Sequence, residues 1–203
     1  MLGRGYNWAI KIRKDCGKGI TSDNDTAVLI YYSNVSAGVP SKSTTYAYDS
    51  SGNNYYGPRT AIQQLPTTSQ WKTRLTNTKR QITTETGTTS TSGGTLPTEF
   101  SYEGYAARLL TAQEVNAGCG LTIGSGKHGE LSKQCKYLME NTKYSNEYIG
   151  SYGEWFESPY AATSSSVWDV YGRYRVVNYD GAINAVEYGV RPAIEVSKSD
   201  ISY

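Results

Sequence analysis

Hydrophobic and polar positions alternate with a period of two over several stretches, the spacing of half-buried strands. Trp8, Ile10 and Ile12 lie two apart, predicting a strand over residues 6–12. The run Ala27-Val28-Leu29-Ile30-Tyr31-Tyr32 is short, β-branched and aromatic, and predicts a second. Residues 167–170, 176–179 and 182–186 predict three more, and residues 190–196 a closing strand in which Pro192 marks an edge or bulge. Asp180-Gly181 reads as the two-residue turn of a hairpin. Helical signals are fewer. Thr111-Ala112-Gln113-Glu114 is a capping box that opens a helix ending near residue 117, before Gly118 and Gly120. Cys135, Leu138 and Met139 share one face of a second helix over residues 132–139. Ser69 heads a short helix carrying Trp71 and Leu75. Residues 83–98 are almost only Thr, Ser and Gly and predict a surface loop. Short strands with two helices between them indicate an α+β domain with a mostly antiparallel sheet.

Composition narrows the function. The 203 residues include 19 Tyr, 22 Ser and 22 Thr, with a net charge of +2. Tyr and Trp supply large buried area together with a polar handle, so a folded domain is expected despite few aliphatic side chains. Scattered basic residues and a charge near zero argue against a nucleic-acid partner. The longest apolar run, residues 27–32, is too short to span a bilayer, so no membrane insertion is expected. A single histidine, His128, argues against a transition-metal site, and no cofactor is implied. Cys119 and Cys135 either close a loop or remain two buried thiols, and their spacing does not decide between them.

Several motifs fall away on inspection. Gly124-Ser125-Gly126-Lys127 lacks the leading Gly of a phosphate loop and the hydroxyl after the Lys. Asp23-Asn24-Asp25 lacks the Gly and distal Glu of a calcium loop. His128 sits in a Gly-flanked turn and reads as a solvated side chain. Glu154 and Glu157 could serve glycoside chemistry only if a helix brought them together, and Ser158-Pro159 argues against a helix. What remains is residues 164–187, rich in Tyr, Ser, Asn, Asp, Arg and Gly. This is the composition of a paratope, where Tyr gives rigid contact area and Ser, Gly and Asn give adaptable hydrogen bonds. A Tyr-rich sheet face with no partner fits the same composition.

A family resemblance adds to this. Arg108-Leu109-Leu110-Thr111-Ala112-Gln113-Glu114 resembles the Arg-Leu-Pro-Thr-x-x-Glu helix start of the formylglycine-generating-enzyme branch of the C-type lectin fold, with Leu110 in place of Pro. Trp155-Phe156-Glu157-Ser158-Pro159-Tyr160 looks like the Trp-x-x-Ser-Pro segment of related phage and bacterial domains. Val167-Trp168-Asp169-Val170 and Tyr188-Gly189-Val190-Arg191-Pro192-Ala193-Ile194 look like the closing strands. The resemblance spans about residues 100–198. It implies a C-type lectin-like fold and kinship with variable proteins of diversity-generating retroelements, whose C-terminal stretch is diversified for ligand binding. No cysteine follows Cys135, which departs from the oxygen-dependent enzymes of the branch, and the calcium-dependent sugar-binding signatures are absent.

The expectation is therefore one α+β domain of C-type lectin-like fold, in which residues 1–100 form a β-rich extension and residues 101–203 the displaying part. It is expected to be a non-enzymatic binding protein of a virion or cell surface. Its partner would be a protein or glycan receptor, and it would act as a monomer or a homo-oligomer. The expected binding residues are Ser164, Ser165, Asp169, Tyr171, Arg173, Tyr174, Arg175, Asn178, Asp180 and Asn184. Alternation puts Trp168 and Val170 toward the core and Asp169 and Tyr171 toward the ligand. Val190 and Arg191 are expected as scaffold. The alternatives are a structural surface protein that self-associates through Tyr-rich faces, and a hydrolase using Glu154 or Glu157.

Overall fold

The computed structural model describes residues 26–41, 44–124, 129–130, 135, 138, 153–171 and 176–197. The expected strand over 6–12 and most of the second helix lie outside these, as do His128, Arg173, Tyr174 and Arg175. The described elements are β1 (Thr26–Ile30), β2 (Val35–Ser36), β3 (Val39–Pro40), β4 (Lys79–Arg80), β5 (Ser90–Thr91), β6 (Gly94–Thr95), β7 (Phe100–Ser101), α1 (Ala112–Cys119), β8 (Gly129–Glu130), β9 (Gly153–Pro159), β10 (Ser166–Tyr171), β11 (Val176–Gly181), β12 (Tyr188–Gly189) and β13 (Ala193–Ser197). A 3-10 turn covers Ala61–Gln64. The chain is mostly β, and its strands pair antiparallel except where β12 meets β9.

The principal sheet runs β12-β9-β10-β11-β8, with β10 at its centre. Both faces of β10 are covered. Trp168 and Val170 enter a cluster with Val28, Ile30, Val115, Phe156, Tyr160 and Val177. Val167 enters a second cluster with Tyr48, Leu65, Ile82, Leu96, Tyr102, Trp155 and Tyr188. β1 pairs with β13 and is buried in the same two-sided way, Leu29 into the second cluster and Val28 and Ile30 into the first. The segment 31–107 supplies much of the second cover with little regular structure.

Helix α1 starts as its sequence dictates. The Thr111 hydroxyl accepts from the Glu114 N–H, and the Glu114 carboxylate accepts from the Thr111 N–H. Gly120 ends it in the left-handed conformation at φ 63°, which a side chain would oppose. Cys119 at the end of α1 is bonded to Cys135 across 16 residues, with Cα atoms 5.7 Å apart. A cross-link closing a loop of this length stabilises by about 3 kcal/mol in the chain-entropy model. Reduction with dithiothreitol is expected to lower stability by that amount in a urea titration, and the Cys119→Ser, Cys135→Ser variant to match it. An unchanged midpoint in both would contradict the bond.

Three local expectations are corrected. Residues 69–75 form no helix, and Trp71 and Leu75 are buried from irregular backbone instead. Residues 83–98 are not merely surface loop: they hold the β5–β6 hairpin and bury Thr84, Glu85 and Leu96. Asp180-Gly181 is no turn either. Both residues stay in β11, opposite Val167 and Ser166, and the chain turns at residues 182–187.

Candidate functional site

The candidate surface lies at the end of the principal sheet where β9 passes to β10 and β11 leaves for β12. The Ala182 N–H donates to the Ser165 carbonyl at 2.6 Å, which locks the two connections side by side. Residues from the first half of the chain complete this end. The Asn54 amide donates to the carbonyls of Tyr160, Thr163 and Ser166 at 3.2, 3.0 and 2.7 Å. The Thr45 hydroxyl donates to the Ala185 carbonyl at 2.5 Å. The β5–β6 hairpin packs so closely that a Cβ at Gly93 would lie 2.3 Å from the Ser164 Cβ, so no other residue fits there. Ser164 and Ser165 are exposed, and Ile183 and Val186 are 63% and 73% exposed.

The expected binding residues do not form one face. Ser164, Ser165, Asp180 and Asn184 gather at this end. Tyr171 sits at the opposite end of β10, roughly 17 Å away at the rise of an extended strand. It is half-buried and packs against the core, its ring centroid 6.2 Å from that of Tyr188. Asn178 lies between, half-buried opposite Asp169. Asp169 itself is corrected outright: it is wholly buried, because the face opposite Trp168 is covered as well. Trp168, Val170, Val190 and Arg191 are all buried, as expected of scaffold.

The buried polar groups are not equivalent. Arg191 donates to the carbonyls of Tyr31, Leu138 and Tyr32 and meets Glu154 at 3.4 Å. Burial raises the Glu154 carboxyl to about 7 against the pull of Arg191. Glu157 binds a different arginine, Arg80, at 3.2 Å, and accepts the Tyr102 hydroxyl at 2.8 Å. The two glutamates thus make no carboxylate pair. Asp169 has no hydrogen-bond partner on either oxygen. Burial pushes its carboxyl well above the ordinary range, and the negative charges of Asp180, Glu187 and Glu154 push it further. The Tyr188 hydroxyl, which donates to Asp180 Oδ2 at 3.0 Å, lies beside Asp169 and pulls the other way.

Residues that sequence reasoning missed come from two places. Ile183, Val186 and Glu187 lie in a stretch that reads as a strand but is a loop. Tyr55, Tyr56 and Arg59 follow the turn cluster at 51–54, and the Arg59 guanidinium sits 4.4 Å from the Tyr56 ring centroid. No family model, curated protein or solved structure matches the chain.

The buried Asp169 carboxyl has a consequence for stability. Its proton is held more tightly in the folded than in the unfolded chain, whose ordinary value is 3.8. The stability it contributes is complete below that value and is lost as pH rises through the folded one. Asp169→Asn is therefore expected to be the more stable protein at pH 8, with the gap closing toward pH 4. Urea unfolding at several pH values reads this directly. A difference independent of pH would count against it.

Proposed function

We propose that the chain is a ligand-binding display protein of a virion or cell surface, with a C-type lectin-like fold and kinship to the diversified proteins of retroelements. The observation that carries this reading is the contrast within residues 164–187. Trp168 and Val170 are wholly buried, while Ser164, Ser165, Ile183 and Val186 are exposed on loops that the buried framework holds. Binding residues on loops over a rigid scaffold are the usual arrangement of recognition surfaces. Ser164, Ser165, Asp180 and Asn184 at this end of the sheet supply the adaptable hydrogen-bonding groups of a paratope. The Cys119–Cys135 bond is of a kind that persists in oxidising surroundings, which supports an extracellular or virion location.

Comparison of the gene across strains tests the reading. Substitutions should concentrate at 164–187 and spare Trp168, Val190 and Arg191, with a reverse transcriptase and a near-copy of the region close by. Substitutions spread evenly along the chain would overturn it. The exposed Ile183, Val186, Val39 and Tyr56 favour a second reading, self-association in a surface assembly. Light scattering separates the two, since a strict monomer at high concentration excludes the second.

A further inference from the structure

Tyr188 closes over a buried acid. Asp169 stands on the face of β10 that also carries Tyr171, opposite Trp155 of β9 and Asn178 of β11. Side chains two apart along a strand share a face, so Asp180 stands on this face as well, diagonal to Asp169. The Tyr188 ring lies across it, its centroid 4.3 Å from that of Trp155 and 6.2 Å from that of Tyr171. Its hydroxyl donates to Asp180 Oδ2 at 3.0 Å. Asp169 is wholly buried, and neither of its oxygens has a hydrogen-bond partner. The groups that face it are the carboxyls of Asp180, Glu187 and Glu154 and the Tyr188 hydroxyl. Arg191 is taken up by Glu154 at 3.4 Å, and Asp49, behind the loop, is taken up by Arg59 at 2.8 Å. Among the described residues no lysine or arginine pairs with Asp169, Asp180 or Glu187.

An unpaired carboxylate is far costlier to bury than the neutral acid, so these surroundings suit Asp169 only with its proton. Once ionised it needs water, and it repels Asp180 and Glu187. Strand β10 cannot yield, because it is hydrogen-bonded to β9 on one side and β11 on the other. The 182–187 loop can. Asn184 bridges its two ends, donating to Glu187 Oε2 at 2.6 Å and to Asp180 Oδ2 at 3.3 Å, and both acceptors are carboxylates that an ionised Asp169 repels. The other ties of the loop, from Thr45, Tyr46 and Asp49, end on backbone carbonyls and do not titrate. We infer that Tyr188 is a proton-dependent latch: its bond to Asp180 holds the 182–187 loop shut over Asp169 while Asp169 is neutral, and releases the loop when Asp169 ionises. As regulation of the candidate surface this rests on the ligand-binding reading above, since the loop carries the exposed Ile183 and Val186. Tyr188 remains a donor throughout, because burial, and then the charges of Asp169 and Asp180, raise its hydroxyl. The neutral acid belongs to the closed form, so closure is complete at low pH and is lost as pH rises through the folded value of Asp169.

Amide hydrogen exchange of the intact chain between pH 5 and pH 8, with the intrinsic rate at each pH divided out, tests this. Asn184 and Val186 report the loop, since their N–H groups donate to the Gly181 carbonyl and the Asn184 side chain. Arg108 and Ala193, whose N–H groups each donate to the other's carbonyl, report the whole domain. The loop amides should be the less protected pair. Their protection should fall by up to about tenfold per pH unit as Asp169 ionises, the slope for one proton released on opening. Asp169→Asn should flatten that slope and leave the loop protected at pH 8. Tyr188→Phe keeps the ring, removes the donor, and should lower loop protection at pH 5. Wild-type protein decides without any variant. Loop protection that does not change with pH overturns the inference. So does loop protection equal to that of Arg108 and Ala193, because the loop would then open only with the whole domain. A slope that survives Asp169→Asn, or full protection of Tyr188→Phe at pH 5, overturns it too. No ligand enters this measurement, so the latch and the display reading, which the strain comparison tests, can fail separately.

Discussion

Trp168→Ala is expected to cost about 3–5 kcal/mol, the range for removing a large aromatic side chain from a closed core. For a domain of this size the melting temperature should fall by roughly 10 °C. Three separate losses combine. The indole is wholly buried at the centre of the sheet. It meets Tyr160 and Tyr179 edge-on, with centroids 5.5 and 5.4 Å away, while those two rings stack on each other at 4.1 Å. Its N–H donates to Glu85 Oε2 at 2.9 Å, an oxygen that also accepts the Ala161 N–H at 3.1 Å. Trp168→Phe separates these terms. It keeps most of the packing and removes the donor to a buried carboxylate, a loss of about 1–3 kcal/mol. If Trp168→Ala melted like the parent, the two-cluster core would be wrong.

The Glu85 contact shows where the sequence stops being readable. Glu85 lies in a tract of Thr, Ser and Gly with no hydrophobic period, so nothing local marks it as a core residue. Its role comes from a tryptophan 83 residues away. The same holds for Tyr48, Leu65, Ile82 and Tyr102, which cover one face of the sheet from irregular backbone. Alternation along β10 correctly separates Trp168 and Val170 from Asp169 and Tyr171. It says which side chains share a face but not whether the other face is covered too. That is why Asp169 reads as a binding residue and proves buried. Capping signals are more legible, because both partners lie within one turn. Thr111 and Glu114 satisfy each other wherever the rest of the chain goes. Asp180-Gly181 misleads for the opposite reason. A turn dipeptide is permissive, and pairing with Val167 and Ser166 keeps it extended. The candidate surface was half legible on these terms. Ser164, Ser165, Asp180 and Asn184 were read from composition, whereas the loops at residues 45–56 and 91–94 arrive only through tertiary contact.

Arg108→Ala is expected to be comparably severe, at about 3–5 kcal/mol, because it leaves the Glu114 carboxylate without its cation and Glu195 with Arg80 alone, 3.2 Å away. Arg108 is 1% exposed. Its Nη atoms grip Glu114 at 2.9 and 2.5 Å, and its Nε donates to Glu195 Oε1 at 2.7 Å. Its own N–H and carbonyl pair with Ala193 at 2.9 and 2.8 Å, so backbone and side chain both fix β13 to the start of α1. Glu114 is thus used twice, once in the capping box and once as the arginine's partner, which accounts for the spacing of the two residues. Burial alone would raise the Glu114 carboxyl, but Arg108 outweighs it and holds the group below its ordinary 4.5. The stability from this pair is therefore present above that value and lost as pH falls through the folded one. The penalty of Arg108→Ala should accordingly be largest near pH 7 and shrink toward pH 3, where the stranded Glu114 carboxylate protonates. Arg108→Lys should recover less than half of it, because one ammonium cannot reproduce a fork that binds two glutamates in different directions. Guanidinium chloride screens charge, so urea is the denaturant that reads this. A penalty below about 1 kcal/mol, or full rescue by lysine, would mean that the network is solvated and that β13 is held by its apolar contacts alone.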